Sequence, residues 1–413
     1  MRKTARFFKV LSVTMSLLCI VIFSLIFSVS GKVTSSYRVF SGENLKVDTV
    51  VPLKATYCGE NLKNVSSTFS VGSKYDVDLK IFGVIPVGKT NVELVDEMYV
   101  LPLGTPFGMK IYTKGVLVVD LTDVDSSSGF VNPASAAGLK VGDLIISINS
   151  TPVYSNSDVS KIIEESGGKP LTVVFTREEK EMSIKVTPVK SQSTGVYKAG
   201  IWVRDSSAGI GTLTFYSPNG NVICGLGHGV CDSDTGKLLT LSSGELLTAR
   251  IISYETAETG TPGELKGSIT LEKYADMVLN CECGVYGITD EDFDTSRLIP
   301  VALKQDVSNG EAYIITTIDD DTPVIYTCNV KKVKNLSNEN QNLIVEITDE
   351  ELLNRTGGIL QGMSGSPIIQ DGKLIGAVTH VLIDDPTTGY GVYAETMLET
   401  AKTVGEQQLK SAS

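Results

Sequence analysis

Twenty consecutive residues near the start carry no charge, and this run constrains the rest of the chain more than any other feature. It extends from Val10 to Val29 (VLSVTMSLLCIVIFSLIFSV) and directly follows Arg2, Lys3, Arg6 and Lys9. At about 1.5 Å rise per residue, a helix of that length spans the roughly 30 Å hydrocarbon layer of a bilayer. A cleavable leader has a shorter apolar stretch, roughly 7–15 residues, with small residues before the cut. Ser28-Val29-Ser30 could pass as such a site, but the length favours an uncleaved anchor over residues 1–30. The basic residues hold the N-terminal side in the cytoplasm, so everything downstream is expected outside it.

The exported remainder is long enough for two or three domains in a chain of 413 residues. With 42% hydrophobic and 20% charged residues, cores of ordinary size can form. The balance of 36 basic against 48 acidic residues gives a net charge of -12, and no basic cluster follows the N-terminus. That argues against nucleic acid as a partner and speaks for solubility. Of seven cysteines, Cys19 lies in the membrane run; the others are Cys58, Cys224, Cys231, Cys281, Cys283 and Cys328. An exported location permits disulfides, but pairing cannot be read from spacing. Cys281-Glu282-Cys283 has the look of a ligand pair. Yet only two histidines exist and no second cysteine pair has ligand spacing, so neither a metal nor another cofactor is expected.

Residues 31–45 are polar and aperiodic, a juxtamembrane linker. Up to residue 97 the chain alternates as strands do, as in Tyr75-Asp76-Val77-Asp78-Leu79-Lys80-Ile81, with Gly83, Pro86 and Gly88 as turns. Residues 31–97 are therefore a linker and small β-rich region without assignable chemistry. In 98–190 a Gly/Pro loop, Leu103 to Gly108, precedes strands Met109–Tyr112 and Val116–Leu121. A short Ala/Ser helix ending at Gly138 and a Gly142-Asp143 turn lead into the strand Leu144–Ile148. Ser157–Glu165 reads as a helix with Ser157 as N-cap, before strands Leu171–Thr176 and Met182–Val186. The string Pro133-Ala134 through Gly138-Leu139-Lys140 and Gly142-Asp143 to Asn149 resembles PDZ domains. That resemblance implies that Pro106-Phe107-Gly108-Met109 is the loop whose amides hold a peptide carboxylate, although its wording departs from the commoner Gly-Leu-Gly-Phe. The strand after it would accept a peptide by β-augmentation, from a partner or from this chain, unless the domain is only a spacer.

Residues 191–413 are rich in short strands and glycine turns, which fits an all-β barrel or double barrel. Within them, Gly362-Met363-Ser364-Gly365-Ser366-Pro367 is a tight turn of the kind a nucleophilic serine needs. Flanking glycines expose Oγ and let backbone N–H groups point at a developing oxyanion. By similarity to the G-x-S-G-x-P sequence of chymotrypsin-like enzymes, Gly362 and Ser364 would supply those amides. For the base the choice is His228, in the glycine-bracketed turn Gly225 to Val230, with His380 as the runner-up. For the acid, Asp232 and Asp234 stand close after His228 with little room to turn back. Asp349 precedes Ser364 by 15 residues. Thr348-Asp349-Glu350-Glu351 equally reads as a capping box with Thr348 at the N-cap, and on local sequence alone that reading prevails.

Over nearly its full length the chain resembles the stage IV sporulation protein B family of serine peptidases from endospore-forming bacteria. The anchor, the PDZ segment, the long string Gly200-Ile201-Trp202-Val203-Arg204 to Phe215, Gly227-His228-Gly229 and the Ser364 turn carry that match. It implies a chymotrypsin-like, β-barrel-type peptidase domain in a mainly β chain, with Ser364 as nucleophile, His228 as base and Asp349 as orienting acid. It further implies a peptidase exported into the space between forespore and mother cell, which cleaves itself and would be released from its anchor by such a cut. It would then cut the regulatory partner of a membrane-embedded protease, leading to processing of a sigma factor precursor. The rival reading is a membrane-tethered PDZ adaptor whose protease-like domain is inactive.

Overall fold

The computed structural model describes residues 2–47, 49, 51–178, 180–333 and 340–411. Its first element is the helix Arg2–Ser30, of which Val10–Ser30 is long and apolar enough to cross a membrane. Contact clustering divides the chain into two compact units, one holding residues up to Tyr99 with Pro300–Ser308, the other Val100–Ile299 with Asn309–Ser413.

In the first unit, five strands form a sheet in the order Ser36–Phe40, Ile85–Val95, Lys74–Ile81, Leu53–Tyr57, Glu60–Asn61. The alternation in Lys74–Ile81 does what it predicts: Val77, Leu79 and Ile81 are buried, and Val77 and Leu79 join Tyr37, Val39, Ala55 and Val92 in one core. The turn falls at Phe82-Gly83, both at positive φ, and Pro86 and Gly88 lie inside the next strand. The return of Pro300–Ser308 to this unit, with Val301 N–H donating to Met98 O (2.9 Å), was not foreseeable from composition.

Two antiparallel barrels dominate the second unit. Strand Pro106–Leu121 pairs with Leu241–Glu255 on one side and Ile201–Ser217 on the other. Glu264–Cys281, Gly284–Ile288 and Val222–Gly225 complete the ring between those two flanking strands. The second is a closed barrel of Gly310–Thr316, Val324–Lys332, Leu343–Ile347, Asp385–Tyr393, Lys373–Leu382 and Pro367–Gln370. The helix Ala394–Ser411 follows. Two barrels of six strands with a cleft between them are the chymotrypsin-like architecture expected from the sequence.

The PDZ-like segment is not a separate body. Pro106–Leu121 is one strand where two were expected; it bends at Gly115, whose φ of 155° and close approach to Ile145 O leave no room for a side chain. Its first half belongs to the first barrel and its second half to the PDZ sheet, so segments 98–190 and 191–413 fall in one unit. The PDZ core gathers Val116, Val118, Ile145, Ile148, Val159, Ile163, Val173 and Phe175. The helix there is Asn156–Glu165, capped by Ser155 rather than Ser157, because Ser155 and Asp158 close a reciprocal capping box. Asp143 of the Gly142-Asp143 turn is buried and accepts from Arg177 Nε (2.7 Å) and Nη2 (2.6 Å), a bidentate pair that locks turn to sheet.

Candidate active site

Strand Val222–Gly225 ends in a loop with Leu226 and Gly227 both at positive φ (67° and 68°), a sharp left-handed step that turns His228 out of the barrel. The Asn280 side chain braces this loop. Its Oδ1 accepts from Val230 N–H (2.8 Å), and its Nδ2 donates to Val230 O and Leu239 O (2.9 Å each). His228 Nδ1–H donates to Gly229 O (2.9 Å), which leaves Nε2 as the nitrogen able to accept a proton. Burial pulls the His228 pKa below the ordinary imidazole value, and the bond to Gly229 opposes it.

The Ser364 turn is pinned from both sides. Gly362 and Gly365 each hold φ of 99°, and a Cβ on Gly365 would stand 1.9 Å from Thr212 O. From the first barrel, Thr212 N–H donates to Ser364 O (2.9 Å), Thr212 Oγ1 to Gly362 O (2.8 Å) and Thr214 Oγ1 to Gly365 O (2.7 Å). From the second, Gly365 N–H donates to Val378 O (2.7 Å), and the buried Ser366 hydroxyl links to Thr316 and Met363 O. Among the described residues, the N–H groups of Gly362 and Ser364 donate to no partner. Ser364 Oγ itself donates to Thr379 O.

Ser364, His228 and His380 line one cleft of about 670 Å³, together with Ile210, Leu226, Leu360 and Gly362. The two imidazoles lie 4.5 Å apart between centroids, tilted by 36°. His380 presents an exposed edge yet is hemmed in by protein. That desolvation, and then the neighbouring His228, pull it down to about 4, with the exposed edge working against so large a drop. Among the described residues, no carboxylate lines the cleft.

Asp349 is not brought to His228. It is the N-cap of helix Glu350–Thr356, its Oδ1 accepting from Leu352 N–H (3.1 Å) and its Oδ2 from Thr327 N–H (3.2 Å). The cap expected at Thr348 thus sits one residue later. Asp232 and Asp234 are also committed, both to Arg204. Burial opposes ionisation of Asp232, but bonds from Thr235 and Arg204 outweigh it and hold the carboxyl below its ordinary value.

The expected carboxylate loop is corrected more sharply. Pro106, Phe107, Gly108 and Met109 lie inside a strand paired on one side with Gly209–Thr212 and, from Phe107 on, on the other with Leu246–Thr248. Their backbone is spent on sheet ladders, and Phe107 and Met109 are buried in the barrel core. The strand that was to accept a peptide is augmented instead by the chain's own Ile201–Thr212. Among the described residues no three His, Cys, Asp or Glu side chains converge as a metal site requires.

Sequence reasoning missed Thr212, Thr214, Asn280 and Thr379. Thr212 and Thr214 lie in the Gly200–Phe215 string, where two threonines at alternate strand positions among apolar residues were a signal for buried hydroxyls with partners.

Parts of the chain are similar to known proteins. The SpoIVB peptidase S55 family matches residues 195–398, and a PDZ domain family matches residues 132–177. A Treponema pallidum (strain Nichols) protein named as a zinc metalloprotease is 32% identical over 132 residues, 32% of this chain and 29% of that protein. Serine protease HTRA1 of Xenopus laevis is 46% identical over 56 residues, 14% of this chain and 12% of that one. The chain thus spans less than a third of the length of these curated relatives. Among solved structures, the HtrA-type protease AlgW with decapeptide aligns at 12% identity and TM-score 0.30, over 50% of this chain and 55% of that one. The Rv3671c protease of M. tuberculosis in its active form aligns at 13% identity and TM-score 0.25, over 47% and 72%. Superpositions this loose carry no argument, and the fold rests on the strand pairings themselves. Residues 195–398 thus belong to the SpoIVB peptidase S55 family, with a PDZ match ahead of them in the chain.

Proposed function

We propose that this serine peptidase is a self-cleaving endopeptidase, anchored by its N-terminal helix, that works outside the cytoplasm in the space between forespore and mother cell. Its further substrate is the regulatory partner of a membrane-embedded protease, and cutting it leads to processing of a sigma factor precursor. In this reading Ser364 Oγ attacks the peptide carbonyl and His228 Nε2 takes its proton. The amides of Gly362 and Ser364 receive the oxyanion, and Asp349 orients His228 in the active arrangement.

One observation carries the reading above others. A serine in a glycine-flanked turn shares a cleft with a histidine, and among the described residues the two amides beside the serine and the histidine Nε2 make no hydrogen bond. The described arrangement is then a resting one, since each triad member is engaged elsewhere: Ser364 with Thr379 O, His228 with Gly229 O, Asp349 with its helix. The same Ser364–Thr379 bond is what favours the second reading, a membrane-tethered PDZ adaptor with an inactive protease-like domain.

Fluorophosphonate labelling of the full chain, with fragmentation followed on a gel, separates them. Labelling and fragmentation that vanish in Ser364→Ala and His228→Ala establish the peptidase. An unmutated chain that takes no label and stays intact with peptides present leaves the adaptor.

A further inference from the structure

The hairpin turn Cys281-Glu282-Cys283-Gly284 joins strands Glu264–Cys281 and Gly284–Ile288 outside the cleft lining, with Cys281 paired to Gly284. The two sulfurs are 3.5 Å apart. Cys281 is partly open to solvent, whereas Cys283 is buried. The Cys283 sulfur contacts the hydroxyls of Tyr286 (3.2 Å) and Thr400 (3.3 Å), the latter from the C-terminal helix. A more exposed thiol touching an enclosed one has the geometry of a dithiol that can close on itself: the outer sulfur meets an oxidant and the inner one resolves it. The hydrogen bond between the two sulfurs holds the Cys283 thiol down, against the opposing effect of burial, and holds the Cys281 thiol up, so the pair keeps its proton on Cys281 and its thiolate on Cys283.

This turn is packed backbone to backbone on the loop that carries His228. A Cβ on Gly284 would stand 2.7 Å from Gly225 O, and one on Gly229 would stand 2.9 Å from Cys281 O. Asn280, the residue before Cys281, makes the three bonds that brace Val230 and Leu239. Backbone meets backbone at both glycines, with the Leu238 and Met397 side chains packed beside them, so a change in the turn's backbone must move the His228 loop. Closing the sulfurs from 3.5 Å to the roughly 2.05 Å of a bond is such a change.

We propose that Cys281 and Cys283 are a redox-active dithiol, and that their disulfide displaces the His228 loop and lowers peptidase activity. The co-reactant is a disulfide, RS–SR. As the Cys281 sulfur attacks one sulfur of RS–SR it passes its proton to the Cys283 thiolate it touches, forming a mixed disulfide and releasing RS⁻. Cys283 then attacks Cys281 Sγ, forming the Cys281–Cys283 bond, and the second thiol leaves as RSH with the proton Cys283 held. Two electrons pass from the protein dithiol to the oxidant.

The activity half of this proposal rests on the peptidase reading above; the disulfide half does not. The full chain is equilibrated with reduced and oxidised glutathione at graded ratios, quenched in acid, alkylated, digested and mapped by mass. A parallel sample is labelled with fluorophosphonate. A Cys281–Cys283 peptide should appear as the buffer becomes oxidising, while the labelling rate falls by about 10², the scale of a 1 Å displacement at a reacting group. Cys281→Ser with Cys283→Ser should label at one rate at every ratio. Cys231 lines the cleft and Cys224 pairs with Tyr286 in the sheet, so the mass map also reads any bond to these two thiols. Both cysteines alkylated at every ratio, or a bond from either of them to Cys231 or Cys224, overturns the dithiol. A disulfide that forms while labelling stays constant overturns the coupling. A reduced chain that never labels sinks the peptidase reading instead, and the mapped disulfide is then judged by mass alone.

Discussion

Replacing Asp349 by asparagine separates two roles that coincide in the wild-type residue. As the N-cap of Glu350–Thr356, Asp349 needs a side-chain oxygen for Leu352 N–H and Thr327 N–H. Asparagine keeps the oxygen for Leu352 N–H and ranks with aspartate at N-caps. Its NH2 cannot accept from Thr327 N–H, but that bond is exposed and water replaces it, so Asp349→Asn should cost less than Asp349→Ala, which costs about 1 kcal/mol. That cost lowers a melting temperature by roughly 2–4 °C in a domain of 150–250 residues. As orienting acid, Asp349 needs its charge. Asparagine then permits the wrong imidazole tautomer and should slow the chemistry by about 10⁴, or about 5.4 kcal/mol in the barrier. We expect Asp349→Asn to melt between the wild type and Asp349→Ala, and both variants to label and fragment about 10⁴-fold more slowly. The assay is fluorophosphonate labelling per folded molecule, beside a thermal melt. An Asp349→Asn chain that labels within about threefold of wild type refutes the reasoning: Asp349 is then a cap alone, and Gly229 O suffices to hold the His228 tautomer.

The remaining expectations follow from the same contacts. Thr212→Val removes the donor to Gly362 O and should cost about 1–3 kcal/mol while slowing labelling, read by melt and by rate. Gly365→Ala meets Thr212 O at 1.9 Å with φ of 99°, so the turn should not form and no labelled folded chain should be recovered. Asp232→Ala breaks the Arg204 pair and should destabilise by roughly 2–3 kcal/mol, below the full buried-pair cost because Arg204 keeps Asp234. Labelling per folded molecule should hold there, and its loss in a stable Asp232→Ala chain makes Asp232 the acid. For pH, His228 must be neutral to accept a proton, and its folded pKa lies below its unfolded one. The acid limb of labelling should therefore have its midpoint below about 6.5, and stability should be full above that value and fall as pH drops below it.

The turn chemistry at the site was legible because it is local. Glycines on both sides of Ser364 and His228 predict sharp turns whatever the tertiary context, and both turns exist. The barrel fold was legible as a class but not in its registers. Strand Glu264–Cys281 reads ELKGSITLEKYADMVLNC, with charges on both faces, because much of its length stands out from the barrel and Leu271 is 99% exposed. Without one buried face there is no clean alternation to find. Asp349 shows the opposite problem: local sequence read it as a helix start and family resemblance read it as an acid, and the structure displays the cap. The carboxylate loop failed for a tertiary reason. Pro106-Phe107-Gly108-Met109 has the composition of a loop, but Phe107 and Met109 are wanted in the core of the first barrel, and two long strands flank them.

Those two long strands also bear on how peptide recognition and catalysis are joined. Ile201–Ser217 pairs through Ile201–Arg204 with Leu117–Leu121 of the PDZ sheet, and its later residues, Thr212 and Thr214, hold the serine turn. Between them the strand has no hinge, only register shifts at Trp202/Val203 and Arg204/Ser206. The Asp205 carboxylate accepts from Asn156 N–H at the start of the PDZ helix (2.9 Å), which ties that helix to the same strand. A peptide seeking the PDZ strand edge must therefore compete with covalently attached chain at very high effective concentration. If it wins, the segment it displaces runs on without a break into the residues that position Ser364. Such a link needs no transmitted subtle motion, since one continuous backbone has two exclusive partners. It gives the string Gly200–Phe215 its physical rationale, because one stretch must satisfy a PDZ edge, a barrel ladder and a nucleophile turn at once.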